Sequence, residues 1–464
     1  MRITTTTYVL AGLLVPLLNA SARADERAIL ADIRAFFETT DLDRREQIVQ
    51  RIQADPAYDR AKVGKWLHRA KLFDQREPDR DELRVELPDG KTRTVALRIP
   101  PKYTPARAYP LIYALHGSGG NGANFIRYVE YILGEAVNKY VVAAPNQYAP
   151  TFTDTAGRPN AEHPTVLLAL KKHLHVNSDR VYVLGYSLGG HATWNLAVLH
   201  ADQFAAAMPV AGSFALVGTD KLWDAVLPNV THLPVLMAWG AHDTGGADPA
   251  AESPEGGVAG LNRLLAEHAT RLGLPVTTFE DPEKGHGDIY PPRPQLLPLL
   301  RKKREQHPRQ VQHTFRHTYQ AQAYWLEGHA WKGSHWGSAH HGNIELRPNE
   351  DPQDALLRVI RSKLGELRGT IDGQTIDVRR KKITELTIWI GDGMIDWDEP
   401  VTVKVSANTV FEDKLEPDLF VCLTQAARTY DFDRLRWAGL RFKSGYGADP
   451  VTGRTEFPPP AEPP

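Results

Sequence analysis

Short apolar runs alternate with segments of helical periodicity between residues 111 and 280 of this 464-residue chain. The apolar runs predict β-strands at 111–115, 140–144, 180–184, 205–210, 233–239 and 275–280. The segments near 123–138, 161–174, 189–200 and 259–272 predict helices between them. Such alternation indicates an α/β fold, in which a mainly parallel sheet is covered by helices on both faces and sites form at the carboxyl ends of its strands.

The segments on either side of this region have different patterns. Residues 83–87 and 94–99, joined by Asp89-Gly90, predict a β-hairpin. Beyond Arg309, alternating segments at 318–326, 368–378, 386–390 and 401–405, with helices near 352–364 and 417–428, predict a second, β-rich domain. We therefore expect a helical prefix at 25–80, a catalytic domain at 81–305, a C-terminal β-rich domain at 310–445 and a disordered tail at 446–464.

The first 24 residues have the features of an export signal. Arg2 supplies a positive charge, residues 8–18 are apolar but too few to span a bilayer, and Ala22-Arg23-Ala24 fits the small-x-small cleavage rule. We expect cleavage after Ala24 and a secreted or periplasmic protein that does not contact the membrane afterwards. A retained membrane anchor is the alternative.

Composition excludes several classes of protein. The 55 basic and 56 acidic residues nearly balance, so the charge gives no reason to expect nucleic acid or an anionic membrane as partner. A hydrophobic content of 42% is too high for a disordered chain. The single cysteine, Cys422, cannot form an internal disulfide and rules out zinc sites built on two or four cysteines.

The strongest local motif is Gly185-Tyr186-Ser187-Leu188-Gly189, between the strand at 180–184 and the helix at 189–200. This strand–turn–helix context is typical of a nucleophile elbow, in which a strained turn projects the serine hydroxyl and glycines leave room for it. We predict Ser187 as the nucleophile and the Leu188 N–H as one oxyanion donor, with Gly185 and Gly189 as support. A chance glycine-rich turn and a phosphate loop are the alternatives.

A second glycine-rich loop, residues 116–122, follows the strand at 111–115. Its flexible backbone can place an N–H beside the elbow and complete the oxyanion hole. We predict the Ser118 N–H as that donor and Gly117 as loop support. His116 is expected to brace the loop by hydrogen bonds rather than to react. An ordinary glycine loop is the alternative.

The acid of a triad should follow a later strand. Asp243 lies in the loop after the strand at 233–239, where a carboxylate can accept a hydrogen bond from a histidine Nδ1–H. An ordinary turn aspartate is one alternative, and Asp248 or Glu252 as the true acid is another.

The base is expected last. His286 lies between Gly285 and Gly287 after the strand at 275–280, in a loop poorly suited to core packing but able to reach the nucleophile. A surface histidine without a role is the alternative. The chain order Ser187, Asp243, His286 is that of the α/β-hydrolases and differs from the chymotrypsin and subtilisin orders.

On these motifs, residues 83–300 resemble an α/β-hydrolase of the exported esterase group, similar to feruloyl esterases and polyhydroxybutyrate depolymerases. The residues that carry the resemblance are His116-Gly117, Gly185-Tyr186-Ser187-Leu188-Gly189-Gly190, Asp243 and Gly285-His286-Gly287. Together, motifs and resemblance imply a serine carboxylesterase that acts through an acyl-enzyme, with no metal and no organic cofactor. Candidate substrates are feruloyl or acetyl esters of plant polysaccharides, polyesters and small-molecule esters.

Two other functions are weighed against this one. A serine peptidase of the prolyl-oligopeptidase type shares the fold and the triad order, but such enzymes carry a large β-propeller before the hydrolase domain, and we expect none here. A polymer-binding protein with an inactive hydrolase domain is the other alternative, against which the complete triad argues.

Two clusters beyond residue 305 suggest weaker hypotheses. Seven of the 18 histidines fall between residues 307 and 341, and His335, His340 and His341 suggest a metal site; without an H-E-x-x-H motif, solvated loop histidines are favoured. Six tryptophans follow residue 320, namely Trp325, Trp331, Trp336, Trp389, Trp397 and Trp437. They could make weak contacts with a polysaccharide, but an aromatic core is favoured.

Overall fold

The computed structural model describes residues 14–70, 72–146, 162–214, 222–245, 257–333, 344–445 and 447–451, with side chains from residue 26 onward. Most of the predicted signal peptide and tail lie outside these ranges. The chain divides into two compact units, Met1–Leu72 and Phe73–Pro464. Within the described ranges, no helix combines the length and apolarity needed to cross a membrane.

The first unit is helical. Its helices are α1 Leu14–Glu38, α2 Leu42–Ala54 and α3 Val63–Arg69, with a 3₁₀ helix at Arg60–Lys62 before α3. Asp41 is the N-cap of α2 and accepts a hydrogen bond from the Arg44 N–H at 2.8 Å. Apolar residues at helical spacing are buried, including Ile29, Ile33 and Ile52.

The second unit begins with an eight-stranded sheet. Its strands are β1 Asp79–Glu86, β2 Thr92–Ile99, β3 Tyr109–Leu115, β4 Val141–Pro145, β5 Val176–Tyr186, β6 Ala206–Val210, β7 Val235–Gly240 and β8 Val276–Asp281. Their spatial order is β1-β2-β4-β3-β5-β6-β7-β8. The hairpin β1–β2 is antiparallel and β2 runs antiparallel to β4, whereas all neighbours from β4 to β8 are parallel. The predicted strands and hairpin are therefore confirmed.

Helices cover both faces of this sheet. They are α4 Gly122–Leu133, α5 Glu162–His173, α6 Leu188–Leu199, α7 Trp223–Val226, α8 Val258–Arg271 and α9 Arg293–Leu299. Leu111 and Tyr113 of β3 join the core beneath α5, α6 and α8, whereas Ile112 and Ala114 join the core beneath α4 and α9. Alternate residues of a buried parallel strand thus face two separate helical layers, as an α/β fold requires.

The strand order places two loops side by side. β3 lies between β4 and β5, so the chain passes to one side of β3 and then to the other. Ligand sites in open α/β sheets form at such a switch point, at the carboxyl ends of the strands. The loop after β3 carries His116, and the turn after β5 carries Ser187.

The C-terminal region contains two further sheets. Its strands are β9 Gln310–Phe315, β10 Gln322–Ala323, β11 Leu326–Trp331, β12 Gly365–Asp372, β13 Thr375–Lys381, β14 Ile383–Ile390, β15 Val401–Val405, β16 Asn408–Asp413, β17 Ala438–Lys443 and β18 Ala448–Pro450, with helices α10 Pro352–Lys363 and α11 Leu419–Thr429. The sheets have the orders β10-β11-β14-β17-β18 and β16-β15-β13-β12-β9. This confirms the β-rich character with two helices.

The strand predicted at 318–326 is wrong. The chain instead forms a 3₁₀ helix at Thr318–Gln320, followed by the short strand β10. The buried Gln320 side chain accepts hydrogen bonds from the backbone N–H groups of Arg316, at 3.0 Å, and His317, at 3.2 Å. These local bonds satisfy backbone donors that a strand would have to pair elsewhere.

The predictions for the tryptophans and for the histidines beyond residue 305 compare differently with the structure. Trp325, Trp389 and Trp437 are fully buried, which agrees with the aromatic-core alternative. His313 is buried and its Nε2–H donates to the Gln320 carbonyl at 2.7 Å, so the solvated-loop interpretation is wrong for it. The candidate metal ligands His335, His340 and His341, and also Trp336, lie outside the described residues.

Candidate active site

The turn after β5 has the geometry of a strained elbow. Ser187 has φ 55° and ψ −116°, a backbone conformation that residues other than glycine rarely adopt. A Cβ at Gly185 would overlap the Gly189 carbonyl, and a Cβ at Gly189 would overlap the Leu115 carbonyl at the end of β3. Both glycines are therefore required by close backbone approach around the Ser187 turn.

The side chains of Ser187, His286 and Asp243 form a continuous hydrogen-bond chain. Ser187 Oγ lies 2.7 Å from His286 Nε2. His286 Nδ1 lies 2.9 Å from Asp243 Oδ2 and 3.0 Å from Asp243 Oδ1. A carboxylate can only accept, so Nδ1 carries the proton and Nε2 is left to accept from the serine hydroxyl. The three residues come from the ends of β5, β7 and β8, which the parallel sheet places at one edge.

Asp243 is fully buried, whereas the His286 side chain is 45% exposed. The Gly245 N–H also donates to Asp243 Oδ1, at 3.0 Å, so the carboxylate has a second partner. The hydrogen bond to Asp243 raises the pKa of His286; burial opposes this shift and the aspartate charge adds to it. Asp243 thus favours the protonated form of the His286 imidazole.

The loop after β3 lies against the elbow. A Cβ at Gly117 would lie 3.4 Å from the Ser187 Cβ, so this glycine is next to Ser187. His116 is buried, and its Nδ1–H donates to the Gly117 carbonyl at 2.7 Å, in keeping with the bracing role predicted for it. Gly120 closes a turn by donating to the same carbonyl at 3.1 Å.

Of the two predicted oxyanion donors, Leu188 directly follows Ser187, and Ser118 follows Gly117, which lies against Ser187. Leu188 is the first residue of α6, so its N–H is one of the unpaired donors at a helix N-terminus. Ser118 follows Gly117 in the exposed turn that ends at Gly120. The alternative acids Asp248 and Glu252 lie outside the described residues. Within the described ranges, no cluster of three or more His, Cys, Asp or Glu side chains could hold a metal ion.

Two tyrosines at this site, Tyr186 and Tyr128, are not predicted from the sequence to have a role. The Tyr186 hydroxyl donates to the His286 carbonyl at 2.7 Å, and the Tyr128 hydroxyl donates to the Ile289 carbonyl at 2.7 Å. Tyr186 directly precedes Ser187 in the sequence, but its partner lies 100 positions away. No short-range pattern indicates that contact.

Comparison with known proteins points to esterases. A family model described as "Putative esterase" matches residues 89–256. The chain is 26% identical over 152 residues to feruloyl esterase C of Emericella nidulans, across 29% of this chain and 56% of that protein. It is 28% identical over 152 residues to dipeptidyl-peptidase 5 of Porphyromonas gingivalis, across 30% of this chain and 22% of that protein. The chain thus spans about half the length of the feruloyl esterase and about a fifth of the peptidase.

Solved structures are more distant. S-formylglutathione hydrolase from Staphylococcus aureus is 17% identical with a TM-score of 0.34, over 45% of this chain and 91% of that one. The strand order, the strained turn at Ser187 and the loops at the carboxyl ends of the strands identify the fold. The region from β1 to α9 has an α/β-hydrolase fold, and residues 89–256 within it match the esterase family model.

Proposed function

We propose that this chain is a serine carboxylesterase that hydrolyses carboxylic esters through a triad of Ser187, His286 and Asp243. The observation that carries the proposal is the hydrogen-bond chain from Ser187 Oγ through both nitrogens of His286 to the buried Asp243 carboxylate. The esterase family match over residues 89–256 favours an ester as the substrate.

In the first half-reaction, Ser187 Oγ attacks the ester carbonyl carbon while its proton passes to His286 Nε2. The carbonyl oxygen becomes an oxyanion, which the N–H groups of Leu188 and Ser118 stabilise. The tetrahedral intermediate then expels the alcohol, whose oxygen takes the proton from His286. Water attacks the acyl-enzyme, gives a proton to His286, and releases the carboxylic acid as the proton returns to Ser187.

Replacing the nucleophile tests this proposal. Ser187→Ala is expected to lower kcat for a short-chain p-nitrophenyl ester by roughly 10⁴-fold or more, because the acyl-enzyme can no longer form. Labelling of the protein by a fluorophosphonate probe should disappear with it. Ser362→Ala is a matched control, since this serine donates only to the Val359 carbonyl on α10.

The control should keep both turnover and labelling. Ester turnover by Ser187→Ala at the wild-type rate would overturn the proposal. A wild-type protein that neither turns over any ester nor takes up the label would indicate an inactive hydrolase domain on a binding protein instead.

The substrate class is proposed from the relatives and tested by a panel. Methyl ferulate, acetylated xylan, polyhydroxybutyrate and p-nitrophenyl acetate separate feruloyl, acetyl, polyester and small-ester activities. Similarity to a protein named dipeptidyl-peptidase 5 makes a peptidase the second candidate, so the panel includes a dipeptide p-nitroanilide. Cleavage of the anilide in preference to every ester would favour the peptidase.

We also infer that the chain is exported. Arg2, the apolar residues 8–18 and the small residues before Asp25 support a cleavable signal. Expression of the full chain in a bacterial host should yield a periplasmic product whose N-terminal sequence begins at Asp25. A product that retains Met1 in the cytoplasm would contradict this inference.

A further inference from the structure

The loop that carries His286 has little to fix its own backbone. Glycines flank the histidine, and a Cβ at Gly287 would meet no heavy atom within 4 Å. Asp288 has φ 58°, which a non-glycine residue adopts only when its surroundings hold it there. Among the described residues, no backbone group from 285 to 291 forms a hydrogen bond with another backbone group. Other groups must therefore hold the loop.

Two tyrosine hydroxyls bind the backbone of this loop. The Tyr186 hydroxyl donates to the His286 carbonyl at 2.7 Å and accepts from the Ile289 N–H at 3.4 Å. The Tyr128 hydroxyl donates to the Ile289 carbonyl at 2.7 Å. The loop is thus held at the histidine and again three residues later, on either side of the strained Asp288.

The tyrosines are themselves held by rigid elements. Tyr186 is the last residue of β5 and precedes Ser187, and Tyr128 lies on α4. Their rings pack edge to face with centroids 5.5 Å apart, and the Tyr128 ring stacks on Phe125 at 5.2 Å. Burial raises the pKa of Tyr186 to about 12 and that of Tyr128 well above 10, so both hydroxyls remain donors throughout the neutral range.

We propose that the Tyr186 and Tyr128 hydroxyls are positioning groups that set the His286 imidazole between Ser187 and Asp243. The proposal rests on the proposed function, in which His286 is the base. Because Tyr186 and Ser187 are adjacent, the turn that aims the nucleophile also fixes the backbone of its base. Proton transfer between Ser187 Oγ and His286 Nε2 requires that both atoms stay within hydrogen-bond distance.

Tyr186→Phe tests the proposal because it removes one hydroxyl and keeps the ring packing. We expect kcat for a p-nitrophenyl ester to fall roughly five- to tenfold. The loss of one hydrogen bond should lower, by about this factor, the fraction of molecules whose His286 loop holds the imidazole beside Ser187. KM should change less than about twofold, since the Tyr186 hydroxyl contacts the backbone of the His286 loop rather than the substrate. Adding Tyr128→Phe should lower kcat further.

A second readout follows the imidazole directly. The hydrogen bond to Asp243 is the main cause of the raised His286 pKa, so a loosened loop should lower that pKa. Histidine-selective NMR titration can measure it, with the His286 signal assigned by its loss in His286→Gln. A purely structural role for Tyr186 would leave this pKa unchanged.

Tyr140→Phe is the matched control. Its hydroxyl also donates from a buried position to a backbone carbonyl, that of Leu300, at 3.0 Å, but it does not touch the His286 loop. Both variants should lose similar stability in urea unfolding, whereas only Tyr186→Phe should lower kcat and the His286 pKa.

The proposal is overturned if Tyr186→Phe matches Tyr140→Phe in both kcat and His286 pKa. Failure of the proposed function gives a different result, in which the wild-type protein turns over no ester and takes up no fluorophosphonate label. In that case the NMR titration still decides whether the tyrosines position His286.

Discussion

Asp243 is buried with its charge directed at one nitrogen of a half-exposed histidine, and this arrangement determines the pH dependence of the proposed reaction. The base must be neutral to accept the Ser187 proton. Since Asp243 raises the pKa of His286 above its ordinary value of 6.5, the inactive protonated form persists to a higher pH. The rise of kcat/KM with pH should therefore have its midpoint above 6.5.

Asp243→Asn should move that midpoint to lower pH and lower kcat by roughly 10³–10⁴-fold, because the amide no longer stabilises the imidazolium or its tautomer. A pH–rate profile with a p-nitrophenyl ester measures both effects. Asp224→Asn is the control, since Asp224 Oδ1 lies 2.7 Å from His268 Nδ1, much as Asp243 lies beside Nδ1 of His286. Equal profiles for the two variants would contradict this role of Asp243.

The packing of helix α6 against strand β3 explains why the turn at Ser187 needs glycine at position 189. The helix begins so close to the end of β3 that a Cβ at Gly189 would overlap the Leu115 carbonyl. Gly189→Ala should therefore push α6 from the sheet and lower the free energy of unfolding by about 3 kcal/mol, as measured in urea. Kinetic assays should show a parallel loss of activity because Ser187 moves with the helix.

Gly287→Ala provides the comparison for this substitution. A Cβ there meets no heavy atom within 4 Å, so the free energy of unfolding should change by less than about 0.5 kcal/mol. A Gly189→Ala protein as stable as Gly287→Ala would show that α6 does not depend on the close approach.

The elements could be predicted from sequence where their signals are local. The six strands from β3 to β8 have apolar runs bounded by loops, and the triad loops follow from chain order at the ends of parallel strands. The elements of the β-rich region are harder to predict from sequence, because β9 pairs with the distant β12 and the Gln320 side chain stabilises a 3₁₀ helix where the alternating pattern predicts a strand. The Tyr186 contact with His286 cannot be predicted from the sequence, since only the tertiary fold brings the two residues together.

At the scale of the whole molecule, the hydrolase sheet and the β-rich sheets belong to one unit, Phe73–Pro464, joined by buried charges. Arg304 binds Asp179 at 3.1 Å and Asp431 at 2.7 Å, with only 1% of its side chain exposed. Arg434, after α11, binds Asp202, after α6, at 3.0 Å. Each such charge is buried only together with its partner, so the two regions depend on each other for stability.

Arg434→Met tests this dependence. It leaves Asp202 buried without its nearest cation, and we expect the free energy of unfolding at pH 7 to fall by about 3–5 kcal/mol. Arg271→Met is the control, because Arg271 pairs with Asp224 on the surface, where a lost ion pair has a much smaller effect. Urea unfolding of both variants measures the difference, and equal losses would contradict the interpretation.

The contribution of Asp202 to stability should depend on pH in opposite directions in the native protein and in Arg434→Met. In the native protein, burial alone would raise the pKa of Asp202, but the charge and hydrogen bond of Arg434 lower it. A lowered folded-state pKa contributes stability above the unfolded pKa, and this contribution is lost as the pH falls. Without Arg434, burial is opposed only by the charges of His200 and Arg304, so we expect the pKa to rise and protonation to stabilise the folded variant as the pH falls toward about 4. Arg434→Met should therefore recover part of its lost stability between pH 7 and pH 5, whereas Arg271→Met should not. If the free energy of unfolding of the two variants depends on pH in the same way, Asp202 does not retain an uncompensated charge.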